Sequence, residues 1–211
     1  MSSDNKSTIT PMLNGPYVIK NLNHFTNQNE KIETKETMTL CRCGASNNKP
    51  FCDGEHLKIG FTSEKHNDHV EDKRQSYKGK NITIHDNRGI CAHAGYCTGE
   101  LAAVFRFEEG QGIDPDSASV DEIIAIIEKC PSGALNYSID DEEHIELKGE
   151  LKVFIAPNGP YVVSGECELL DTTWCEGALH NQFTLCRCGG SKNKPFCDGT
   201  HWYINFTDDK N

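Results

Sequence analysis

Apolar and polar residues alternate over several short stretches of this chain, and one longer stretch follows a helical period. The alternation predicts short strands at 17–19, 38–40, 81–85, 135–139, 151–155, 161–163 and 183–185. Ser119 and Glu122 form a capping box, after which Val120, Ile123 and Ile127 share one helical face. No apolar run approaches the roughly 18 residues of a membrane span. The pattern therefore predicts an α+β chain built from small β-rich units.

Part of the pattern occurs twice. The letters NGPYV stand at 14–18 and again at 158–162, and CRCGASNNKPFCDGEH at 41–56 returns as CRCGGSKNKPFCDGTH at 186–201. We therefore expect two copies of a module of about fifty residues with a different segment between them. In each copy Asp53 or Asp198 is a candidate helix N-cap.

Composition indicates what holds such small modules together. The chain has 211 residues, a net charge of −11 and only 36% hydrophobic residues, which is little for one large core. The negative charge argues against nucleic acid and anionic membranes as partners. Residues 1–10 lack the apolar core of a secretory signal, so we expect a reducing cytoplasm, where the eleven cysteines favour metal ligation over disulfides.

Each repeated loop offers three cysteines and one histidine at the spacing C-x-C-x8-C-x3-H. These candidate ligands are Cys41, Cys43, Cys52 and His56 in the first copy, and Cys186, Cys188, Cys197 and His201 in the second. Structural zinc prefers C-x2–4-C pairs, whereas C-x-C suits a binuclear cluster whose ligands divide between two irons. The spacing alone leaves both zinc and iron–sulfur open.

Both loops resemble the CDGSH family of iron–sulfur proteins, the mitoNEET-like proteins, whose pattern is C-x-C-x2-[ST]-x3-P-x-C-D-G-[SAT]-H. The second loop matches throughout, and the first departs only at Glu55, which is not a ligand. The resemblance implies a 2Fe–2S cluster in each copy, with the two early cysteines on one iron and the third cysteine and the histidine on the other. A histidine ligand implies a raised potential and acid lability.

Arg42 and Arg187 stand between the first two cysteines of each loop. Two interpretations are open: a cation beside the cluster that favours its reduced state, or a surface arginine that pairs with a carboxylate.

The middle segment runs strand, cysteine loop, helix, helix, Cys-Pro, strand. It resembles the divergent one-cluster ferredoxins, with C-x-H-x-G-x-C at 91–97 and C-P-S-G-A-L at 130–135. The resemblance implies Cys91, Cys97 and Cys130 as ligands, and Ala94 stands where a fourth cysteine is usual. A 3Fe–4S cluster, or a 4Fe–4S cluster completed by His93 or solvent, is therefore expected; His93 could instead pack or donate a hydrogen bond.

These expectations give an architecture. We place a polar tail at 1–13, CDGSH modules at 14–65 and 151–211, and the ferredoxin-like domain at 76–140. Members of the CDGSH family pair two modules as a dimer, so we expect the two copies here to pair within one monomeric chain.

Function follows from the ligand sets. The sequence holds no nucleophile elbow, phosphate loop or dinucleotide fingerprint, so we expect no enzyme. The leading hypothesis is electron transfer with a redox-partner protein. The alternatives are an acid-labile cluster donor to an apo-protein, or a redox sensor, and a zinc-stapled structural adaptor. Cys167 and Cys175, which lack counterparts in the first copy, are expected to be free thiols.

Overall fold

The computed structural model describes residues 6–106, 112–144 and 149–210. The first repeat contains β1 (Thr8–Pro11), β2 (Tyr17–Lys20), β3 (His24–Thr26), β4 (Thr37–Leu40) and α1 (Glu55–Lys58). The middle segment contains β5 (Gln75–Lys78), β6 (Thr83–Asp86), a 3-10 turn (Arg88–Ile90), α2 (Tyr96–Glu100), β7 (Phe105–Arg106), β8 (Gly112–Ile113), α3 (Val120–Glu128), β9 (Leu135–Ile139) and β10 (Glu142–His144). The second repeat contains β11 (Lys152–Ile155), β12 (Tyr161–Ser164), β13 (Glu168–Leu169), β14 (Gln182–Leu185) and α4 (Thr200–Tyr203).

The two repeats exchange strands. One sheet has the order β13-β1-β2-β4 and the other β14-β12-β11-β3, so each contains one strand from the opposite repeat. The exchanged strands pair in parallel, with Phe25 of β3 opposite Val153 and Leu169 of β13 opposite Ile9. The expected intramolecular pseudo-dimer is therefore confirmed.

A shared core joins the two exchanged sheets. It contains buried side chains from both repeats, among them Ile9, Tyr17 and Phe25 from the first and Val153 and Tyr161 from the second. Because a fifty-residue module buries little surface by itself, packing two of them around one core supplies the apolar burial that each lacks.

The middle segment folds around a core of its own. Its sheet has the order β10-β9-β6-β5, and α3 packs Ile123, Ile126 and Ile127 among the buried residues of this core. The expected capping box is present, since the Ser119 hydroxyl accepts from the Glu122 N–H and the Glu122 carboxylate accepts from the Ser119 N–H. The α+β class is confirmed, and the expected strands and helices occur in the expected order, but the structure adds the hairpin β7–β8 between the two helices and the edge strands β5 and β10.

Some boundaries differ from the expected ones. Thr8–Pro11 lies within the expected polar tail but forms β1, because its backbone pairs with both β2 and the exchanged β13. The middle segment also continues past residue 140 into β10, which pairs with β9. Among the described residues the longest helix is α3 with nine residues, and no helix could cross a membrane.

Candidate metal centres

Each repeated loop brings its four candidate ligands together as two pairs. In the first loop the sulfur atoms of Cys41 and Cys43 lie 3.8 Å apart, and Cys52 Sγ lies 3.4 Å from Nδ1 of His56. The second loop repeats both distances, 3.8 Å between Cys186 and Cys188 and 3.4 Å between Cys197 and His201. In the parts of the chain that the structure describes, no three His, Cys, Asp or Glu side chains converge on a point that one metal ion would occupy.

Strands β4 and β14 hold these loops in place. Each loop begins where its strand ends, and the backbone folds back so that Cys41 N–H donates to the Pro50 carbonyl and Cys52 N–H to the Thr39 carbonyl. The same bonds recur from Cys186 to Pro195 and from Cys197 to Thr184. These hydrogen bonds fold each loop back so that its third cysteine lies on the same side as the first two.

The prediction that Asp53 and Asp198 are helix N-caps is wrong. The cap positions are Gly54 and Gly199, both left-handed, with φ of 88° and 83°. Each aspartate lies one residue earlier and still orders the loop. Asp53 accepts from the Asn47 and Glu55 N–H groups, and Asp198 from those of Lys192 and Thr200.

The electrostatics of each C-x-C pair favour one thiolate. A hydrogen bond from Cys43 lowers the pKa of Cys41 to about 6, and one from Cys188 lowers the pKa of Cys186 to about 7. The same bonds raise the pKa of Cys43 and Cys188 above the usual range, with burial adding to the rise. Since the thiolate is the form that binds metal, each pair presents one ready ligand near neutral pH.

The two loops meet at the pseudo-twofold axis of the exchanged sheets. Cys43 and Cys188 form an antiparallel backbone bridge, and the hydroxyl of Tyr17 donates to the Cys186 and Pro195 carbonyls of the opposite loop. Tyr161 makes the reciprocal bonds to Cys41 and Pro50. The sequence gives no indication of this role of the tyrosines beyond their recurrence in the two NGPYV stretches.

The approach of the loops requires glycine at Gly44 and Gly189. A Cβ on either residue would lie 2.4 Å from the carbonyl oxygen of the facing cysteine, Cys188 or Cys43.

Arg42 and Arg187 are not the surface arginines that the second expected interpretation describes. Both are buried and turn toward the start of their own repeat, where Arg42 donates to the Met12 carbonyl and Arg187 to those of Ala156 and Gly159. Arg187 also pairs with the buried carboxylate of Asp208. These arginines therefore fix the NGPYV turn from inside the module.

The expected ligands of the middle segment line one cavity. Cys91, Cys97 and Cys130 surround a space of about 210 Å³, together with His93 and Arg88. Arg88 was missed in sequence, where nothing separates it from a surface cation. Its Nη2 donates to Cys91 Sγ at 3.0 Å, and its Nη1 lies 3.4 Å from the buried Asp86. Burial raises the pKa of Cys91 to about 11, so this thiol is protonated without a metal.

His93 reaches from this cavity to the second repeated loop. It has a φ of 54°, and a Cβ on Gly199 would lie 2.6 Å from its Cδ2 atom. Its charge also contributes to the lowered pKa of His201, after burial as the main cause.

The donors present fit iron–sulfur clusters. Each repeated loop supplies three thiols and one imidazole as two pairs, which suits a binuclear cluster with one pair on each iron. The middle cavity is lined by three thiols, which suits a cluster of three or four irons.

The remaining cysteines lie outside these sets. All eleven cysteines are free thiols, and burial raises the pKa of Cys167 and Cys175 to about 12. Cys175 lies 3.8 Å from the side-chain nitrogen of Asn193, within the core that the repeats share.

Comparisons with known proteins agree with this division. A family model described as "Iron-binding zinc finger CDGSH type" matches residues 14–57 and 158–202, and one described as "Divergent 4Fe-4S mono-cluster" matches 77–140. The "Uncharacterized protein YjdI" of Escherichia coli K12 and that of E. coli O157:H7 are each 36% identical to this chain over 61 residues, 29% of the chain and 80% of the relative. No solved structure matches the chain. The chain therefore belongs to the CDGSH iron–sulfur proteins, with one CDGSH module on either side of a divergent 4Fe–4S mono-cluster domain.

Proposed function

We propose that this chain is a multi-cluster electron-transfer protein. Its ligands would be Cys41, Cys43, Cys52 and His56 for one 2Fe–2S cluster, Cys186, Cys188, Cys197 and His201 for a second, and Cys91, Cys97 and Cys130 for a 3Fe–4S or 4Fe–4S cluster. When bound, such clusters supply one-electron redox chemistry.

One observation carries this proposal: three separate ligand sets lie in contact within one molecule. The backbones of Cys43 and Cys188 bridge the two CDGSH loops, and His93 joins the middle cavity to the second loop. Neighbouring centres allow electrons to pass between them within one molecule, whereas a structural staple gains nothing from their contact.

The protein side chains tune these centres. A neutral imidazole at His56 and His201 leaves each CDGSH site less negative than four thiolates would, which raises its potential. At the middle site the Arg88 guanidinium donates to Cys91 and offsets thiolate charge, which acts in the same direction.

We propose that the chain acts as a carrier rather than as an enzyme. The partner would be a redox protein, without nucleic acid or membrane, and one chain would suffice because its two modules already pair with each other.

The test of the proposal is anaerobic purification with iron, sulfide and zinc counts and EPR. We expect about seven or eight irons per chain and three EPR species. Zinc in place of iron, or no more than about four irons without a third species, would contradict it.

A single substitution tests the middle ligand set. Cys130→Ser should abolish the third EPR species and spare the two 2Fe–2S signals, while the control Cys167→Ser keeps all three, because Cys167 lies outside the ligand sets. Loss of a 2Fe–2S signal in Cys130→Ser would show that the assignment is wrong.

A second candidate function, donation of a cluster to an apo-protein, is favoured by one observation. His56 and Cys52 are partly exposed, whereas their counterparts His201 and Cys197 are buried. Release from the first loop is therefore sterically open. Incubating the loaded chain with an apo-ferredoxin distinguishes the two functions: electron transfer reduces only a loaded acceptor, whereas donation moves iron and sulfide to an empty one.

A further inference from the structure

The two CDGSH loops are nearly identical in sequence but differ in what covers them. In the second loop, Cys197 and His201 are 2% and 4% exposed. The glycine that precedes α4 marks the difference: a Cβ on Gly199 would clash with His93, whereas one on the equivalent Gly54 would meet nothing within 4 Å. The middle domain therefore covers the second loop and leaves the first open at this point.

The backbone of His93 lies in the left-handed region that few non-glycine residues adopt. It has a φ of 54°, a region that costs a non-glycine residue about 1 kcal/mol or more. The residue lies two positions after Cys91, its backbone N–H donates to Cys91 Sγ at 3.4 Å, and its side chain lines the middle cavity. Its ring thus spans the gap between one candidate ligand set and the loop that carries the other.

A cleft of about 660 Å³ follows the same junction. Ala92, Ala94 and Tyr96 of the middle domain line one part of it, and His201 and Trp202 of the second module line another. The two ligand loops therefore face each other over several residues, and the contact is not confined to one atom pair.

We propose that the contact between His93 and Gly199 is the route by which electrons pass between the middle centre and the second CDGSH site, and that electrons from the middle centre reach the first CDGSH site through the second. This inference rests on the proposed electron-transfer function. With both clusters bound, one electron would leave one centre and enter the other, and no bond at His93 would form or break. The onward step to the first site follows the backbone bridge between Cys188 and Cys43.

The repeat supplies a matched pair of variants to test this route. Gly199→Ala and Gly54→Ala impose the same left-handed strain beside equivalent ligands, with φ of 83° and 88°, but only Gly199→Ala displaces His93. His93→Ala removes the ring and leaves Gly199 unchanged, so it tests the contact even if Gly199→Ala loses its cluster.

The measurement is flash photoreduction of the loaded, full-length chain with a deazaflavin, followed by absorbance and rapid-freeze EPR. In the wild type we expect a phase whose rate is independent of protein concentration, in which the second 2Fe–2S signal rises as the middle signal decays. Gly199→Ala displaces the His93 ring and His93→Ala removes it, so both variants should slow this phase several-fold relative to the wild type. Gly54→Ala should leave it unchanged.

Three outcomes would overturn the route. The rate could fall equally in both glycine variants, the first 2Fe–2S signal could rise before the second, or His93→Ala could abolish the middle EPR signal, which would make His93 a ligand. Failure of the proposed function looks different, since the wild-type chain would then lack redox-active clusters. A wild type with three reducible clusters but no concentration-independent phase would refute the route alone.

Discussion

Equivalent residues of the two repeats make different contacts, as the two buried arginines show. Arg187 and Asp208 form an ion pair whose side chains are 0% and 4% exposed, whereas Ser63 stands at the position equivalent to Asp208 and Arg42 therefore lacks this carboxylate. Removing one partner of a buried pair leaves an uncompensated charge away from water, which is strongly destabilising.

We therefore expect Asp208→Asn to lower the free energy of unfolding by about 3 kcal/mol. The control is Asp209→Asn next to it, an exposed position where the change should stay within about 0.5 kcal/mol. Denaturant unfolding of the three proteins measures both values. Equal stability of the two variants would mean that Asp208 does not compensate Arg187.

Asp86 adds a pH dependence at the same scale. Burial raises its pKa from 3.8 to about 6, although Arg88 opposes the shift. Because the folded chain holds this proton more tightly than the unfolded chain, the contribution of Asp86 to stability is greatest below pH 4 and is lost as the pH rises toward 6.

Relative to Asp86→Asn, the wild type should lose about 2 kcal/mol of unfolding free energy between pH 4 and pH 6. Asp141→Asn changes the same charge at an exposed turn and serves as the control. Its effect on the pH dependence of stability shows how much comes from the change in net charge alone. Denaturation curves at several pH values give the difference. A constant difference between wild type and Asp86→Asn across this range would show that Asp86 has an ordinary pKa.

At the scale of elements, strand exchange makes the repeats depend on each other. Phe25 in β3 is fully buried, pairs with Val153 of the other repeat, and meets Phe51 edge-on at 6.5 Å between ring centres. A substitution in β3 therefore removes packing from both repeats at once.

Phe25→Ala should destabilise the chain by about 3–5 kcal/mol and lower the stability of both CDGSH loops together. His24→Ala in the same strand removes only an exposed contact with Glu150 and should cost less than about 1 kcal/mol. Hydrogen exchange of β2 and β12 reports each repeat separately. Loss of protection in the first repeat alone would contradict the interlocked core.

The sequence predicted the regular parts of this fold and missed those that depend on distant partners. Alternation located β2, β4, β12 and β14, and the two-fold repeat with the family resemblance predicted the pairing. The sequence does not predict strand β1, because Ile9 is its only buried residue and no alternation of apolar and polar residues results. The strand forms because it pairs with β2 and with the distant β13. The candidate ligand sets follow local spacing, so the sequence could propose them, whereas the contact of His93 with Gly199 joins residues 106 positions apart, for which no local pattern exists.

At the scale of the molecule, the unequal cover of the two loops predicts the order of acid loss. A proton competes with a metal for an imidazole nitrogen. Burial lowers the pKa of His201, so its protonation requires a lower pH, while His56 is partly exposed. The loops also differ at Glu55, which stands where the second loop has Thr200, but the structure pairs the Glu55 carboxylate with Lys58 at 2.7 Å, which offsets its charge beside His56.

We expect visible absorbance to decay in two phases as the pH falls, with the first loop emptying earlier. His56→Cys should remove the early phase and His201→Cys the later one, because a thiolate holds iron more strongly than an imidazole does. Stopped-flow acid pulses measure these phases. If both variants lose absorbance as fast as the wild type, the histidines are not the acid-sensitive ligands.

The exchanged strands have a further consequence for how this protein can change over generations. In a symmetric homodimer every mutation appears in both halves, so the two sites must remain equal. Here both halves are encoded in one reading frame, and a codon can change in one half while its counterpart is kept. Glu55 and Thr200, Ser63 and Asp208, and the open Gly54 beside the covered Gly199 are differences that a symmetric assembly could not encode. Covalent linkage of the repeats thus allows an assembly that began with two equal sites to specialise each of them.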